Sequence, residues 1–318
     1  MPDTRHDRAT VPAPGGPGPL DDAFDVPPDD PAVRRWTEPS STAGDRSAPT
    51  ALPAGNLTEG VVRIGGTVRR PPQPQSLAVA HYLDHLERVG FAAAPRFLGR
   101  DEQGRDVLTY LDGDVPGDPL PAWAGSDELL VSVAGLLRRL HVASTGFCAD
   151  RAFAAPPGTV WRRDLVRVEL PAPEPVPELI SHLDVVPSNV VVRGGRAVAL
   201  IDFDLAGPTT HLLNLYTTAA HWVPLCPPAD VPPAWRGIDQ ARRLRLFADG
   251  YGLPPRDRLL LPDFGISRAD ITWRRMKASA EQLGGGWARM WSAGAADAIL
   301  RRKAWLIESR EDLLAVLR

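Results

Sequence analysis

The stretch that decides the fold runs Ser181-His182-Leu183-Asp184-Val185-Val186-Pro187-Ser188-Asn189, then Val190 to Arg193, Gly194-Gly195, Ala197 to Ile201, and Asp202-Phe203-Asp204-Leu205-Ala206-Gly207. Two apolar runs joined by a pair of glycines predict a tight hairpin, because Gly-Gly supplies the positive φ that the turn requires. A hairpin returns the chain to its starting point, so Asp202 should arrive in the pocket of Asp184 and Asn189. A positioned carboxylate can take a proton from a hydroxyl. The side-chain oxygens of Asn189 and Asp202 are hard donors that suit Mg²⁺. A plainer reading makes Asp184 and Asn189 a loop-capping pair and Asp202 an ordinary strand-end carboxylate, since Asp and Asn favour turns. That reading leaves the joint spacing unexplained. His182 suits an orienting hydrogen bond to the loop backbone better than a proton shuttle.

Working outward toward the N-terminus, Gly55-Asn56-Leu57-Thr58-Glu59-Gly60 is a glycine-bracketed turn. Val61 to Ile64, a turn at Gly65-Gly66 and Thr67 to Arg70 read as a short antiparallel meander that Pro71, Pro72 and Pro74 terminate. Ser76 is the expected N-cap of a helix with Val79, Leu83 and Leu86 on one face and Gly90 as its stop. Val107 to Leu111 reads as one more strand before the Asp112-Gly113 turn. Residues 51–113 thus form a small sheet lobe. Residues 1–50 hold 10 Pro and 4 Gly, too little apolar periodicity to offset ordering entropy, and read as a disordered Pro-rich arm.

Toward the C-terminus the pattern turns helical. Ser126 caps a segment with Leu130, Val133, Leu137 and Leu140 on one face, and helical periodicity returns over 238–251, 271–283 and 296–317. Residues 114–318 therefore form a helical lobe around the hairpin. The fold class is α+β. The tryptophans 273, 287, 291 and 305 lie on helical segments and read as core or pocket wall, and His81, Asp84 and His85 as a solvated helix face rather than a metal site.

Composition excludes several functions. The 318 residues carry a net charge of −3, which gives no reason to expect nucleic acid, and no apolar run approaches a membrane span. A cytoplasmic location is expected. Cys148 and Cys226 read as free thiols. Lys277 and Lys303 are the only lysines and neither precedes Ser or Thr, so a GxxxxGK-Ser/Thr phosphate loop is excluded; GxGxxG, GxSxG and HExxH are absent too.

His182, Asp184 and Asn189 reproduce the HxDxxxxN spacing of the protein kinase catalytic loop, with Asp202 opening the next element. With the hairpin, the 55–60 loop, Leu108-Thr109-Tyr110-Leu111-Asp112-Gly113 and the Leu140-His141 pair, residues 52–318 resemble the aminoglycoside phosphotransferase and choline kinase-like branch of the protein kinase fold. The resemblance implies a two-lobed fold, ATP and Mg²⁺ as cofactors, Asp184 as general base assisted by His182, and Asn189 and Asp202 on the metal. It also implies nucleotide contacts from Gly55, Asn56, Tyr110 and Leu111. Three departures stand out. The phosphate-anchoring lysine is missing, and Arg70 is the nearest substitute. The glutamate that would pair with it is replaced where Val79, Ala80 and His81 stand. The aspartate that braces the catalytic loop is Asn214.

The function implied is ATP- and Mg²⁺-dependent phosphoryl transfer to a hydroxyl of a small molecule, such as an antibiotic or secondary metabolite. Two alternatives remain: a Ser/Thr kinase of a peptide in ribosomal-peptide modification, and a pseudokinase or immunity-type binding protein. From Trp235 to Arg318 there are 16 Lys+Arg against 10 Asp+Glu, so the acceptor is expected to be neutral, anionic or an acidic peptide rather than a polycation.

Overall fold

The computed structural model describes residues 48–52 and 60–318, apart from 152 and 172. The Gly65-Gly66 turn joins β2 (Val62–Ile64) to β3 (Thr67–Arg70), and Gly194-Gly195 joins β7 (Val190–Arg193) to β8 (Arg196–Leu200). Both glycines of the second turn have positive φ, 55° and 73°, as the two-residue connection demands.

The N-terminal sheet has the order β1-β2-β3-β5-β4 and is antiparallel throughout. It contains β1 (Thr50–Ala51), β4 (Phe97–Arg100) and β5 (Asp106–Thr109). Three expectations are corrected here. Chain expected as arm at Thr50 pairs with Arg63, because an unsatisfied sheet edge offers it hydrogen bonds. The strand Phe97–Arg100 was not anticipated, since Gly99 interrupts its apolar alternation and its partner shifts register there. Ser76 opens helix α1 (Ser76–Arg88) from inside, with Gln75 at the N-cap; its hydroxyl accepts from Gln73 N–H at 2.8 Å and donates to Asp106. The face carrying Val79, Leu83 and Leu86 is buried as the spacing requires.

The lobes join through 110–113. Gly113, at φ 143°, lets the backbone pass so close to β7 that a Cβ there would stand 2.6 Å from Val191 Cγ1. Asp114 then exchanges backbone hydrogen bonds with Val192 at 2.9 and 2.7 Å, which fixes the connection on the hairpin.

The helical lobe is built on α2 (Asp127–Ala143), capped by Ser126 as expected at 3.3 Å from Leu129 N. It packs on α4 (Gln240–Tyr251) and β8. Between them run β6 (Leu179–Ser181), β9 (Gly207–Thr209) and α3 (His211–Trp222). After α4 come α5 (Pro255–Arg258), α6 (Leu260–Leu283), α7 (Gly285–Ser292), α8 (Ala295–Glu308) and α9 (Arg310–Leu317). Helix α6 begins eleven residues before its expected start, because Pro262 is accommodated in the first turn, where its missing N–H has no helical partner to lose. The expected 296–317 helix breaks at Ser309. Trp161, Trp222, Trp235 and Phe247 fill the core, whereas Trp273 and Trp291 pack edge to face at its margin. Among the described residues no helix is long and apolar enough to cross a membrane.

Candidate active site

Two backbone-anchored limbs hold the site together. His182, fully buried, accepts Asp184 N–H on Nδ1 at 3.3 Å, which leaves Nε2–H to donate to the Ile201 carbonyl at 2.8 Å. Ile201 N–H in turn donates to the Asn189 carbonyl at 3.0 Å. One imidazole and one amide thereby lock the two ends of the 182–189 loop to the end of the hairpin. Burial pushes the His182 pKa down to about 4, so the ring is neutral at physiological pH and acts as a fixed strut.

Asn189 donates from Nδ2 to the Asp184 carbonyl at 3.0 Å and to Asp184 Oδ2 at 2.9 Å. Its nitrogen is spent on the loop, and its oxygen remains the group suited to a cation. Burial, then the negative field of Asp202, raise the Asp184 pKa to about 6, against the pull of the Asn189 hydrogen bond. A carboxylate tuned toward neutrality is what a general base near pH 7 requires.

Asp202 takes a left-handed conformation, φ 61°, and Leu183 likewise, φ 62°. Each costs on the order of 1–2 kcal/mol for a residue with a Cβ. The hydrogen bonds of His182 beside Leu183, and that of Arg70 to Asp202, hold this stretch in place, as at sites where side-chain aim matters more than relaxed backbone. Arg70 reaches from β3 to this point: its Nη1 lies 3.4 Å from Asp202 Oδ1 and its Nη2 bonds Asp204 Oδ2. Burial opposes the charge on Arg70, but the carboxylates of Asp204 and Asp202 outweigh it and hold its pKa above the ordinary arginine value. Burial and the charge of Asp204 raise the pKa of Asp202. The oxygens of Asp202, Asp204 and Asn189 are hard donors of the kind that suits Mg²⁺. Among the described residues no group of three or more His, Cys, Asp or Glu is placed to hold a metal ion.

Helix α3 braces the loop from below. Asn214, fully buried, accepts Ser181 Oγ–H at 2.6 Å and His141 Nε2–H at 2.8 Å, while Trp222 Nε1–H donates to the Val185 carbonyl at 2.8 Å. Its Nδ2 has no hydrogen-bond partner among the described residues. A carboxylate in this position would accept the same two bonds and leave no orphan donor.

Asp184, Asn189, Asp202, His182 and Arg70 are therefore brought together. Tyr110 and Leu111 lie at the lobe connection, where Tyr110 N–H donates to Gly66 O at 2.8 Å and Arg63 covers the ring at 3.7 Å. Gly55 and Asn56 lie outside the described residues. Two participants were missed. Asp204 stood two residues beyond Asp202 and was legible as a second carboxylate. Arg162 had no sequence signal; its charge is disfavoured by burial and by Arg70, and favoured by Asp204 and Asp202. His85, expected on a solvated helix face, is instead buried and bonds the Ala143 carbonyl at 2.9 Å.

The profile of the phosphotransferase enzyme family matches residues 54–226. The chain belongs to that family. Membership assigns a phosphotransferase acting on an alcohol group. This phosphotransferase is 32% identical over 278 residues, 81% of its length and 94% of the relative's, to the trifolitoxin immunity protein of Rhizobium leguminosarum bv. trifolii. Its fold is that of a choline/ethanolamine kinase family protein from Mesorhizobium loti, at TM-score 0.53 and 17% identity, covering 86% of this chain and 94% of that one. The two-lobed kinase-like expectation is met.

Proposed function

We propose that the phosphotransferase moves the γ-phosphoryl group of ATP, with Mg²⁺, to a hydroxyl of a toxin or related secondary metabolite, and so protects the cell that makes or meets it. The observation that carries this reading is the meeting of Asp184 with Asp202 and Asn189 on one hydrogen-bonded frame. The relative with an immunity role supports the physiological part.

Asp184 accepts the acceptor's hydroxyl proton as the oxygen bonds phosphorus and the bond to ADP breaks. Asn189 and Asp202, with Asp204 beside them, would hold Mg²⁺, which when bound neutralises charge on the phosphates. Arg70 offers its guanidinium to the same phosphates, Tyr110 and Leu111 border the nucleotide base, and His182 positions the loop. Catalysis of this kind rests on positioning and charge compensation rather than a covalent enzyme intermediate. Incubation with Mg²⁺-ATP and a panel of hydroxylated metabolites should give one product heavier by about 80 Da, the mass of a transferred phosphoryl group. Absence of ATP turnover with every acceptor would refute transfer.

One observation favours a second reading, toxin capture without transfer. Arg70 neutralises Asp202 and Asp204 in place of a lysine-glutamate pair. Protection that survives Asp184→Asn in cells would establish capture as the activity.

A further inference from the structure

Arg162 and Arg163 are neighbours in one short turn, 162–165, yet their guanidinium groups serve different places. Arg162 stands in the field of Asp202 and Asp204. Arg163 turns the other way, donating to the Pro208 carbonyl at 2.8 Å and to Glu174 Oε2 at 2.7 Å. Glu174 also receives Arg268 on Oε1 at 2.6 Å and Arg275 on Oε2, both from α6. Three guanidinium groups thus converge on one carboxylate.

These arginines are only 11–31% exposed, and Arg275 Nε is buried with no hydrogen-bond partner among the described residues. Asp164, half-exposed and 3.9 Å from Arg163 Nε, is a second acid of this place, so three guanidinium groups face two carboxylates. A surplus of positive charge in a half-dry place is unfavourable until an anion relieves it. The place adjoins the catalytic loop. A Cβ on Gly207 would stand 3.8 Å from Arg163 Cδ and from Leu183 Cδ1, and Leu183 precedes Asp184.

The carboxylate now in the cluster belongs to a strap. The described residues of 166–178 form neither helix nor strand, and prolines 171, 173, 175 and 177 keep the segment extended. Positions 268, 275 and 282 recur every seven residues, a single stripe on α6. Gln282 clasps the strap by its backbone, accepting Arg167 N–H at 2.9 Å and donating to Arg167 O at 2.7 Å. The stripe therefore grips an extended chain both by its amide and by a carboxylate.

We infer that Arg163, Arg268 and Arg275 form the recognition site for a carboxylate on the phosphoryl acceptor, with Glu174 holding its place in the free protein. The word acceptor rests on the phosphotransferase reading; the binding of a carboxylate does not. An incoming carboxylate displaces or joins Glu174, meets the planar fork of arginine bidentately, and seats the hydroxyl-bearing part of the molecule toward Asp184.

Calorimetric titration of the full chain without nucleotide, using N-acetyl-Ser-Glu-amide and N-acetyl-Ser-Gln-amide, tests this directly, because the two probes share a hydroxyl and differ by one carboxylate. Glu174→Gln should bind the carboxylate probe about tenfold more tightly than wild type does, and about tenfold more tightly than it binds the amide probe. Arg275→Gln should bind the two equally. Equal affinity of Glu174→Gln for both probes, or no binding of either, overturns the inference. So does a carboxylate preference that persists in an Arg275→Gln protein of wild-type melting temperature, a variant that serves even where Glu174→Gln fails to fold. Mg²⁺-ATP titration of the same preparations tests the phosphotransferase reading separately.

Discussion

Arg70 Nη1 lies 3.4 Å from Asp202 Oδ1 across 132 residues of sequence, joining the N-terminal sheet to the end of the hairpin by charge. The same guanidinium holds Asp204. On the proposed reading, a cation on these carboxylates competes with Mg²⁺, while the same cation near the phosphates favours nucleotide.

The two effects separate on substitution. Arg70→Ala should weaken ATP affinity about tenfold and at the same time tighten Mg²⁺ binding in the absence of nucleotide, whereas Arg70→Lys should keep much of the ATP affinity because it keeps the point charge. Asp202→Ala should abolish Mg²⁺-dependent nucleotide binding. Titrations with Mg²⁺ alone and with Mg²⁺-ATP read all three, and normal ATP binding by Arg70→Ala would remove Arg70 from the phosphate site.

Asp184→Asn should fold normally and lose turnover by roughly 10² to 10⁴, since on the proposed reading the base is gone while the nucleotide and metal ligands remain. The Asp184 pKa is raised to about 6 by burial and by the charge of Asp202, so kcat/KM at saturating Mg²⁺ should rise with pH through a limb at or below that value. For stability the sign is opposite to that of a salt-bridged carboxylate. The folded state binds this proton more tightly than the unfolded state, so the ionised form costs stability above the ordinary aspartate pKa. Asp184→Asn should therefore raise the melting temperature by a few degrees at pH 7.5 and by almost nothing at pH 4. An unchanged melting temperature at both pH values would place Asp184 in a more polar setting.

His141 and His182 are both buried, and burial holds each near pKa 4. Folded pKa values below the unfolded value mean that the unfolded state takes up the protons first, so stability falls as pH drops from about 6.5 toward 4. Asn214 sits on His141 Nε2. Asn214→Asp should raise the His141 pKa and move the acid-unfolding midpoint lower, whereas Asn214→Ala should cost about 2–3 kcal/mol by stranding Ser181 Oγ and His141 Nε2 without an acceptor. Acid titration followed by circular dichroism, with histidine NMR shifts, measures both.

Polycationic aminoglycosides should not be substrates. They need clustered carboxylates to replace water around several ammonium groups. Here the segment from Trp235 to Arg318 carries a net +6, and its Arg268 and Arg275 point at the single carboxylate of Glu174. Expression in a susceptible bacterium should give no resistance to kanamycin-type drugs, and the purified protein should leave them unphosphorylated. Efficient transfer to such a polyamine would reverse the charge argument.

Much of the site was legible because its determinants are local. The Gly-Gly hairpin dictates that Asp202 returns to Asp184, and the four residues between Asp184 and Asn189 place both on one loop. Ser126 announced its helix, and Ser76 misled because a serine at the first helical position can satisfy the preceding turn as well as the helix. The strand at Phe97–Arg100 was hidden because Gly99 breaks its pattern and pairing with β5 supplies what local preference lacks.

By itself the sequence determined the two-lobed order of elements, the return of Asp202 to the loop and the absence of a phosphate-loop lysine, since turn chemistry, periodicity and composition act over a few residues. Only the tertiary structure decided which charges meet. Arg70 finds Asp202 and Asp204, Asn214 finds Ser181 and His141, and Glu174 gathers arginines 11, 94 and 101 residues away. Coulomb and hydrogen-bond energies depend on distance in space and on local burial, and chain separation encodes neither until the hydrophobic core has packed.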